Sequence, residues 1–261
     1  MSILFSGDFH ANAVSELSSI TKETLIEQYS EEIYGEIKYH IILGDGGFLW
    51  PGNNAWDKKN YKKLSSRPFP ILCVIGNHEP VLGRPDLPER DIGIGEKVIV
   101  VNERKPFIAY MKRGKVYHIE NREFLVLGGA LSIDKEYRIP DISWWEKEYW
   151  TEAEKGEVFS LLETENKVDY VLAHTGPGRI NETVFASLRL SHLPKFFDEV
   201  AELNEKIDAK IKCRQWFCGH WHQDEYYYDK TLERRYQYLY RKTAILKDDE
   251  VILSDGHRYL S

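Results

Sequence analysis

Five short stretches of this chain end in side chains that could do chemistry together: Asp8 with His10, Asp45, Asn77 with His78, His174, and His220 with His222. The richest is Ile71-Leu72-Cys73-Val74-Ile75-Gly76-Asn77-His78-Glu79, an apolar, partly β-branched run bounded by Pro70 and Gly76. That pattern reads as a buried strand. Its carboxyl end delivers an amide, an imidazole and a carboxylate, and open α/β sheets collect ligands outside the carboxyl ends of their strands. Alone, the stretch would read as a strand running into a polar turn. A lone histidine after a strand is usually a satisfied surface or core group, but here the device recurs. Five of the nine histidines lie at these points. His40, His118, His192 and His257 have no such context and read as structural or solvated, with His192 a faint candidate near the site.

The residue types point to metal chemistry. Side chains two apart on an extended segment share a face, so Asp8 can converge with His10, and His220 with His222. Neutral imidazoles and carboxylates suit Zn, Fe or Mn, whereas Mg or Ca would call for an all-oxygen set. No cysteine belongs to the set, so a closed structural zinc site is not expected. The candidate ligands are Asp8, His10, Asp45, Asn77, His174, His220 and His222. They are too many for one tetrahedral ion and suit two ions sharing a carboxylate. Glycine at the strand ends lets the backbone turn sharply and approach closely.

The elements needed to position these groups are legible as an alternation. Residues 3–6 form a first strand, and 13–38 carries apolar residues about every fourth position from Leu17 to Ile37, which predicts one amphipathic helix capped by Asn12 or Thr21. A second strand covers 39–43. A loop through Trp50-Pro51-Gly52 and a short helix over 55–64 lead to the strand ending at Asn77. Strand–helix alternation predicts a parallel sheet. Residues 81–95, rich in Gly, Pro and Asp, form a long loop beside the site. Apolar runs at 98–101, 107–111, 116–119 and 124–127 follow. The turns Lys112-Arg113-Gly114-Lys115 and Glu120-Asn121-Arg122 predict antiparallel hairpins. Helices over 152–164 and 194–206, strands over 168–173 and 215–218, and antiparallel strands in the remainder complete the chain. We expect one domain over 1–261, with 130–165 a substrate-wall insertion.

Composition narrows the function class. Hydrophobic residues at 42% and charged residues at 30% are ordinary globular values. A net charge of −7 gives no sign of an extended nucleic-acid surface. Cys73, Cys213 and Cys218 form no close pair and read as buried thiols of a reducing compartment. The amino-terminal run lacks a basic flank and reads as a strand, not a signal peptide. No run approaches a membrane span. The expectation is a soluble, cytoplasmic protein without a membrane partner.

Taken in order, the motifs D-x-H, G-D, G-N-H-D/E, H and G-H-x-H resemble the calcineurin-like metallophosphoesterase superfamily, especially its bacterial and phage members. They stand here as Asp8-Phe9-His10, Gly44-Asp45, Gly76-Asn77-His78-Glu79, His174 and Gly219-His220-Trp221-His222. The resemblance implies an α/β fold, a two-sheet mixed β-sandwich flanked by helices. It implies that Asp8, His10 and His222 hold one ion, that Asp45 bridges, and that Asn77, His174 and His220 complete a second. His78 would stay off the ions as catalytic proton donor. Two features depart from the family. The G-D-x-x-D-R-G continuation of its protein-phosphatase branch is absent, since Gly44-Asp45 runs on as Gly46-Gly47-Phe48-Leu49-Trp50. Ala11 follows His10 where glycine is common.

The expected function is therefore a metal-dependent phosphoesterase using two divalent transition-metal ions (Mn, Fe or Zn) and a hydroxide bridging them. The missing continuation favours a phosphodiesterase acting on a nucleotide-type substrate, and the acidic balance favours a small one. The alternatives are a phosphomonoesterase acting on protein or small molecules, and a non-catalytic scaffold, which would predict eroded ligands. Lys135, Arg138 and Trp144 are candidate substrate-binding residues in an aromatic-rich segment, the first two for phosphate and the third for stacking. Its competing reading is a packing patch closing one end of the sandwich. Arg84 and Arg179 are comparable alternatives.

Overall fold

Alternate side chains of the first strand already state the layering. In β1 (Ser2–Ser6), Ile3 and Phe5 point into one buried cluster and Leu4 into another, as a strand covered on both faces requires. The computed structural model describes residues 1–10, 13–49, 64, 66–186 and 198–261. The proposed Asn12 cap, the loop at Trp50-Pro51-Gly52, most of the helix over 55–64, the start of the helix over 194–206, and His192 lie outside the described residues.

The first half of the chain supplies β1, β2 (Ile37–Ile42), β3 (Ile71–Cys73), β4 (Glu89–Arg90), β5 (Val98–Asn102) and β6 (Ile108–Met111). It is followed by β7 (Lys115–Ile119), β8 (Arg122–Leu127), β9 (Tyr170–Ala173), β10 (Gln215–Cys218), β11 (Tyr226–Asp229) and β12 (Arg234–Tyr238). The chain closes with β13 (Ala244–Lys247), β14 (Glu250–Leu253) and β15 (Arg258–Leu260). Among the described residues these form a nine-stranded sheet, β15-β14-β13-β1-β2-β3-β6-β5-β4, and a six-stranded sheet, β11-β12-β10-β9-β8-β7. β1, β2 and β3 are parallel neighbours in the first sheet, and β8, β9 and β10 in the second. The inner faces meet through Ile3, Phe5, Leu72 and Val74 against Phe124, Leu172 and Phe217. Phe5 stacks on Phe217 with ring centroids 4.4 Å apart. The fold is thus the expected helix-flanked pair of mixed sheets.

Helices cover the outer faces. α1 (Ala13–Ser19), α2 (Lys22–Gln28) and α3 (Glu31–Glu36) lie outside the first sheet. Their Leu25, Tyr29 and Ile33 are buried with Leu4 and Ile245. α4 (Glu152–Thr164), α5 (Gly178–Phe185) and α6 (Glu199–Asp208) cover the second. α4 is the crossover that parallel β8 and β9 require. The excursion over 128–151 is thereby left as the long irregular piece. Among the described residues, no helix is long and apolar enough to cross a membrane.

Three expectations are corrected. The single helix over 13–38 is three short helices. Thr21 and Thr24 exchange backbone-to-hydroxyl bonds as a capping box, and Ser30 Oγ accepts from Ile33 N. Each cap restarts the helix, so the four-residue apolar spacing survives while the axis changes. Ile37, expected in the helix, starts β2. The runs at 107–111 and 116–119 are not a hairpin, because β6 belongs to the first sheet and β7 to the second. Both runs are strongly apolar and both sheets need inner faces, so the chain passes from one sheet to the other at 112–114 instead of folding back. The β7–β8 hairpin forms, with Glu120 and Asn121 at φ 52° and 61° in its turn. In the carboxyl-terminal part, β12 pairs parallel to β10, while its pairing with β11 and those of β13, β14 and β15 are antiparallel.

Candidate metal centre

The parallel strands at the middle of each sheet end at the same edge of the sandwich. Asp8 and His10 follow β1, Asp45 follows β2, and Asn77 and His78 follow β3. From the facing sheet, His174 follows β9, and His220 and His222 follow β10. Backbone pairing locks these ends together: Phe9 N and His10 N both donate to Asp45 O, and Gly219 N donates to His174 O. His10, Asp45, His220 and His222 all have positive φ, between 46° and 70°. Such a cluster of left-handed non-glycine residues is costly and is kept where it aims side chains at a site.

Close approach explains the glycines. A Cβ on Gly44 would lie 2.0 Å from His174 Nδ1, and one on Gly76 would lie 2.0 Å from Asp45 Oδ1. A Cβ on Gly219 would press on Leu43 O at 2.6 Å and Asp8 Oδ2 at 3.1 Å. Only bare backbone lets the loops come this near to the side chains of their neighbours.

The polar groups converge as the motif spacing suggested. His10 Nε2 and His222 Nε2 face each other at 2.8 Å. His174 Nε2 lies 2.9 Å from Asn77 Oδ1 and 3.5 Å from Asp45 Oδ2, while Asp8 Oδ1 is 3.5 Å from His174 Nδ1. Asp8, His10 and His222, then His10, Asp45 and His78, then Asp8, Asp45 and His174 form overlapping groups whose ligand atoms lie within 4.8 Å of one another. His220 packs its ring across His174 at 5.0 Å, and its backbone N donates to both Asp8 oxygens at 3.1 and 2.9 Å.

Electrostatics in this buried cluster fit a cation. Burial alone would raise the Asp45 carboxyl, but the imidazoles of His174, His78 and His10 hold it well below the ordinary carboxylate range. Asp8 is pushed up to about 7 by burial and by Asp45, against the opposing pull of His174. Burial lowers His10 and His220, and brings His78 and His222 to about 4, so these four present lone pairs at neutral pH. His174 is the exception. Burial works against its charge, but Asp45 and Asp8 raise it to about 9. Its Nδ1 faces Leu43 O at 2.8 Å and its Nε2 faces Asn77 Oδ1, so both nitrogens meet acceptors. The positive charge on His174 is one that a metal ion would replace, with Nδ1–H kept on the carbonyl and Nε2 freed as a ligand. The donor set fits divalent transition metals.

Two supports hold the ligand loops: Glu79, which closes the Gly76-Asn77-His78-Glu79 motif, and a Ser132–Glu148 pair that escaped sequence reasoning. Glu79 is buried and accepts from Gly47 N and Gly76 N, both at 3.0 Å, and from Tyr110 OH at 2.5 Å. It straps the Asp45 loop to the Asn77 loop. Ser132 and Glu148, both buried, reach Asn77 from the 128–151 excursion: Asn77 Nδ2 donates to Ser132 Oγ at 2.9 Å, and Ser132 Oγ donates to Glu148 Oε2 at 2.6 Å. No local motif marks either residue.

The candidate substrate residues separate. Arg138 comes to the centre, with Nη2 3.4 Å from His78 Nε2 and its guanidinium bound to Asp134 at 2.5 and 2.6 Å. Lys135 instead lies over the Trp144 ring at 4.2 Å, and Trp144 Nε1 donates to Glu148 Oε1 at 2.6 Å. These contacts tie Lys135 and Trp144 to each other and to the wall. Arg84 chelates Asp86, and Arg179 joins a cluster with Glu205, Asp208 and Asp229. His40 is buried against Ser6 Oγ at 2.8 Å, His118 lies beside Glu123, and His257 is exposed.

A two-sheet sandwich with an Asp/His cluster at one edge defines a hydrolase of the metallophosphoesterase type. The family model for calcineurin-like phosphoesterases matches residues 1–224, and the chain belongs to that family as a phosphoester hydrolase. No curated protein matches the sequence. One solved structure aligns over 100% of this chain and 98% of its own at 10% identity, with a TM-score of 0.56, which is a likeness of fold. A Staphylococcus aureus protein provisionally assigned as a 5'-nucleotidase, solved with α-ketoglutarate, aligns over all of this chain at 12% identity with a TM-score of 0.38. The NAD nucleotidase of Haemophilus influenzae does so at 12% identity with a TM-score of 0.36. The chain spans 52% and 49% of those two proteins.

Proposed function

We propose that this chain is a dinuclear-metal phosphodiesterase acting on a small nucleotide-type substrate. Asp8, His10 and His222 hold one ion, Asn77, His174 and His220 hold the other, and Asp45 is shared. Bound there, two divalent ions such as Mn, Fe or Zn supply Lewis acidity toward a phosphoryl group and lower the pKa of water toward neutrality. The chain's own groups do the rest. Asp45, and Asp8 once a cation displaces its proton, would face the ions as carboxylates, and the neutral imidazoles would provide lone pairs. His78 would lie beyond the ligands beside the leaving group. Burial brings it to about 4, so at pH 7 it is neutral rather than the protonated donor that the family resemblance implies.

The observation that carries the substrate reading is Arg138 beside His78. Its guanidinium has the Nε–Nη2 fork occupied by Asp134 and Nη1 taken by Ser143 O, which leaves Nη2, 3.4 Å from His78 Nε2, as the donor nearest the metal cluster for a phosphoryl oxygen. Its charge is already shared with Asp134, so the clamp adds little net charge. That balance suits the single negative charge of a phosphodiester better than the double charge of a monoester. The site takes the place of the absent arginine of the G-D-x-x-D-R-G motif with an arginine from the wall.

The test is hydrolysis of bis(para-nitrophenyl) phosphate against para-nitrophenyl phosphate after reconstitution with Mn. A higher kcat/KM for the bis-ester, reduced about 100-fold by Arg138→Ala, is expected. Preference for the mono-ester would replace this reading with a phosphomonoesterase. Fewer than one metal ion per chain would favour the scaffold.

A further inference from the structure

We infer that Ser132 and Glu148 are positioning residues that set which end of the Asn77 amide faces the metal centre, with Trp144 as the outer member of the relay. The inference rests on the proposed assignment of Asn77 as a ligand.

An asparagine can serve a metal ion only through its oxygen, and its two ends are nearly the same shape, so something must choose between them. Here the choice is made by a chain of donors. Glu148 is buried, and its carboxylate collects Ser132 Oγ at 2.6 Å, Trp144 Nε1 at 2.6 Å and Ser132 N at 3.3 Å. A carboxylate in this role only accepts. The one hydroxyl proton of Ser132 is therefore committed to Glu148, which leaves Ser132 Oγ as acceptor toward Asn77. It takes a proton from Asn77 Nδ2 at 2.9 Å, and the same amide nitrogen lies 3.2 Å from His78 Nε2. With an amide hydrogen directed to Ser132, Asn77 Oδ1 is left facing His174 Nε2 at 2.9 Å. A flipped amide would put its oxygen against the Ser132 acceptor and its N–H groups against the metal ligands.

The arrangement also links the wall to the centre. Trp144 gives up its indole N–H to Glu148, so its place in the excursion bears on the ligand polarity of a residue after β3. Such partners behind a ligand typically change metal affinity about 10- to 100-fold.

The experiment titrates metal-free protein with Mn²⁺ by calorimetry, which resolves the two binding events without reading activity. Wild type should bind two ions. Ser132→Ala and Glu148→Gln should weaken one event by about 10- to 100-fold and leave the other unchanged. The amide introduced by Glu148→Gln can donate as well as accept, which removes the direction of the relay without removing its bulk. Ser132→Thr, which keeps the hydroxyl, should restore the weakened event, and Trp144→Phe should weaken the same event less. Metal-free melting temperatures close to wild type separate this from a loss of fold. Where Ser132→Ala fails to fold, Glu148→Gln and Trp144→Phe decide. The inference is overturned if these variants bind both ions as wild type does. It is equally overturned if they weaken both events together, or if Ser132→Thr behaves as Ser132→Ala. Wild type that binds no second ion would instead overturn the metal assignment itself.

Discussion

The strand-end loops bearing Asp8, Asp45, Asn77, His174 and His220 and the excursion at 128–151 face the same centre, but they are held there by different means. The loops are held by backbone: strand register, glycines with no room for a Cβ, and left-handed turns at His10, Asp45, His220 and His222. The excursion has two short 3₁₀ turns and an isolated bridge between Pro140 and Trp144. It is held by side chains. Buried Arg113 donates to the carbonyls of Lys147, Glu148 and Tyr149 and pairs twice with Glu154. The lesson is a division of labour. The geometry of the candidate ligands is written into strand ends and bare backbone, and the geometry of the excursion beside them is written into replaceable side-chain contacts.

The comparison is broken most forcefully at a ligand. His174→Ala should reduce kcat/KM by more than the roughly 100-fold typical of an outer partner, with loss of bound metal measured by elemental analysis. The buried ring also meets Leu43 O, Asn77 Oδ1 and the Asp8 and Asp45 carboxylates, so the metal-free variant should melt lower as well. Metal content measured well below that melting temperature separates the two effects. Activity within 10-fold of wild type would remove His174 from the centre. Gly44→Ala tests the backbone directly. With φ at +95° and the new Cβ 2.0 Å from His174 Nδ1, it should cost about 2–4 kcal/mol, read by urea unfolding. A neutral outcome would mean that the loop has slack and that glycine is not required there.

Arg113→Ala probes the other region. Stripping three carbonyls and a carboxylate of their donor should cost about 2–3 kcal/mol. Its expected signature is a rise in KM together with weaker binding of one ion through the Glu148–Ser132 link, the other ion being held as before. Unchanged binding of both ions would show that the wall and the centre are separable.

This same division decides what could be read from the sequence. Asp8, His10, Asp45, Asn77, His174, His220 and His222 were legible because each follows an apolar strand, and parallel strands bring their carboxyl ends to one edge. The crossing from β6 to β7 was not, because an apolar run flanked by a Gly-containing turn looks the same whether its partner lies in its own sheet or in the facing one. The breaks at Thr21 and Ser30 lay inside an unbroken periodicity, and the caps were weaker signals than the apolar spacing. Ser132 and Glu148 act through contacts 55 and 16 residues away in sequence. Neither periodicity nor motif spacing reports such pairs. Lys135 and Arg138 illustrate the limit: three positions apart and alike in charge, they end on an indole ring and beside His78 respectively.

The smallest effect lies beneath the loops, at His40. It sits on β2, is fully buried and meets Ser6 Oγ of β1, between the strands that deliver Asp8 and Asp45. The scaffold under the loops therefore also uses a side-chain contact. Burial among Phe9 and Phe69, with the nearby Arg67 charge, holds His40 well below its ordinary value of 6.5. The folded state keeps it neutral, and the unfolded chain takes up a proton once the pH falls below that ordinary value. Its contribution to stability is thus full above about pH 6.5 and is lost as pH falls toward the folded value, at up to about 1.4 kcal/mol per pH unit. His40→Gln keeps a partner for Ser6 but does not titrate. Metal-free wild type and variant share every other histidine, so the difference between their unfolding free energies at pH 7 and pH 5.5 isolates this one. A shallower acid slope in the variant is expected. Parallel slopes would mean that His40 is protonated within the fold, and that the strands carrying Asp8 and Asp45 accommodate a charge between them.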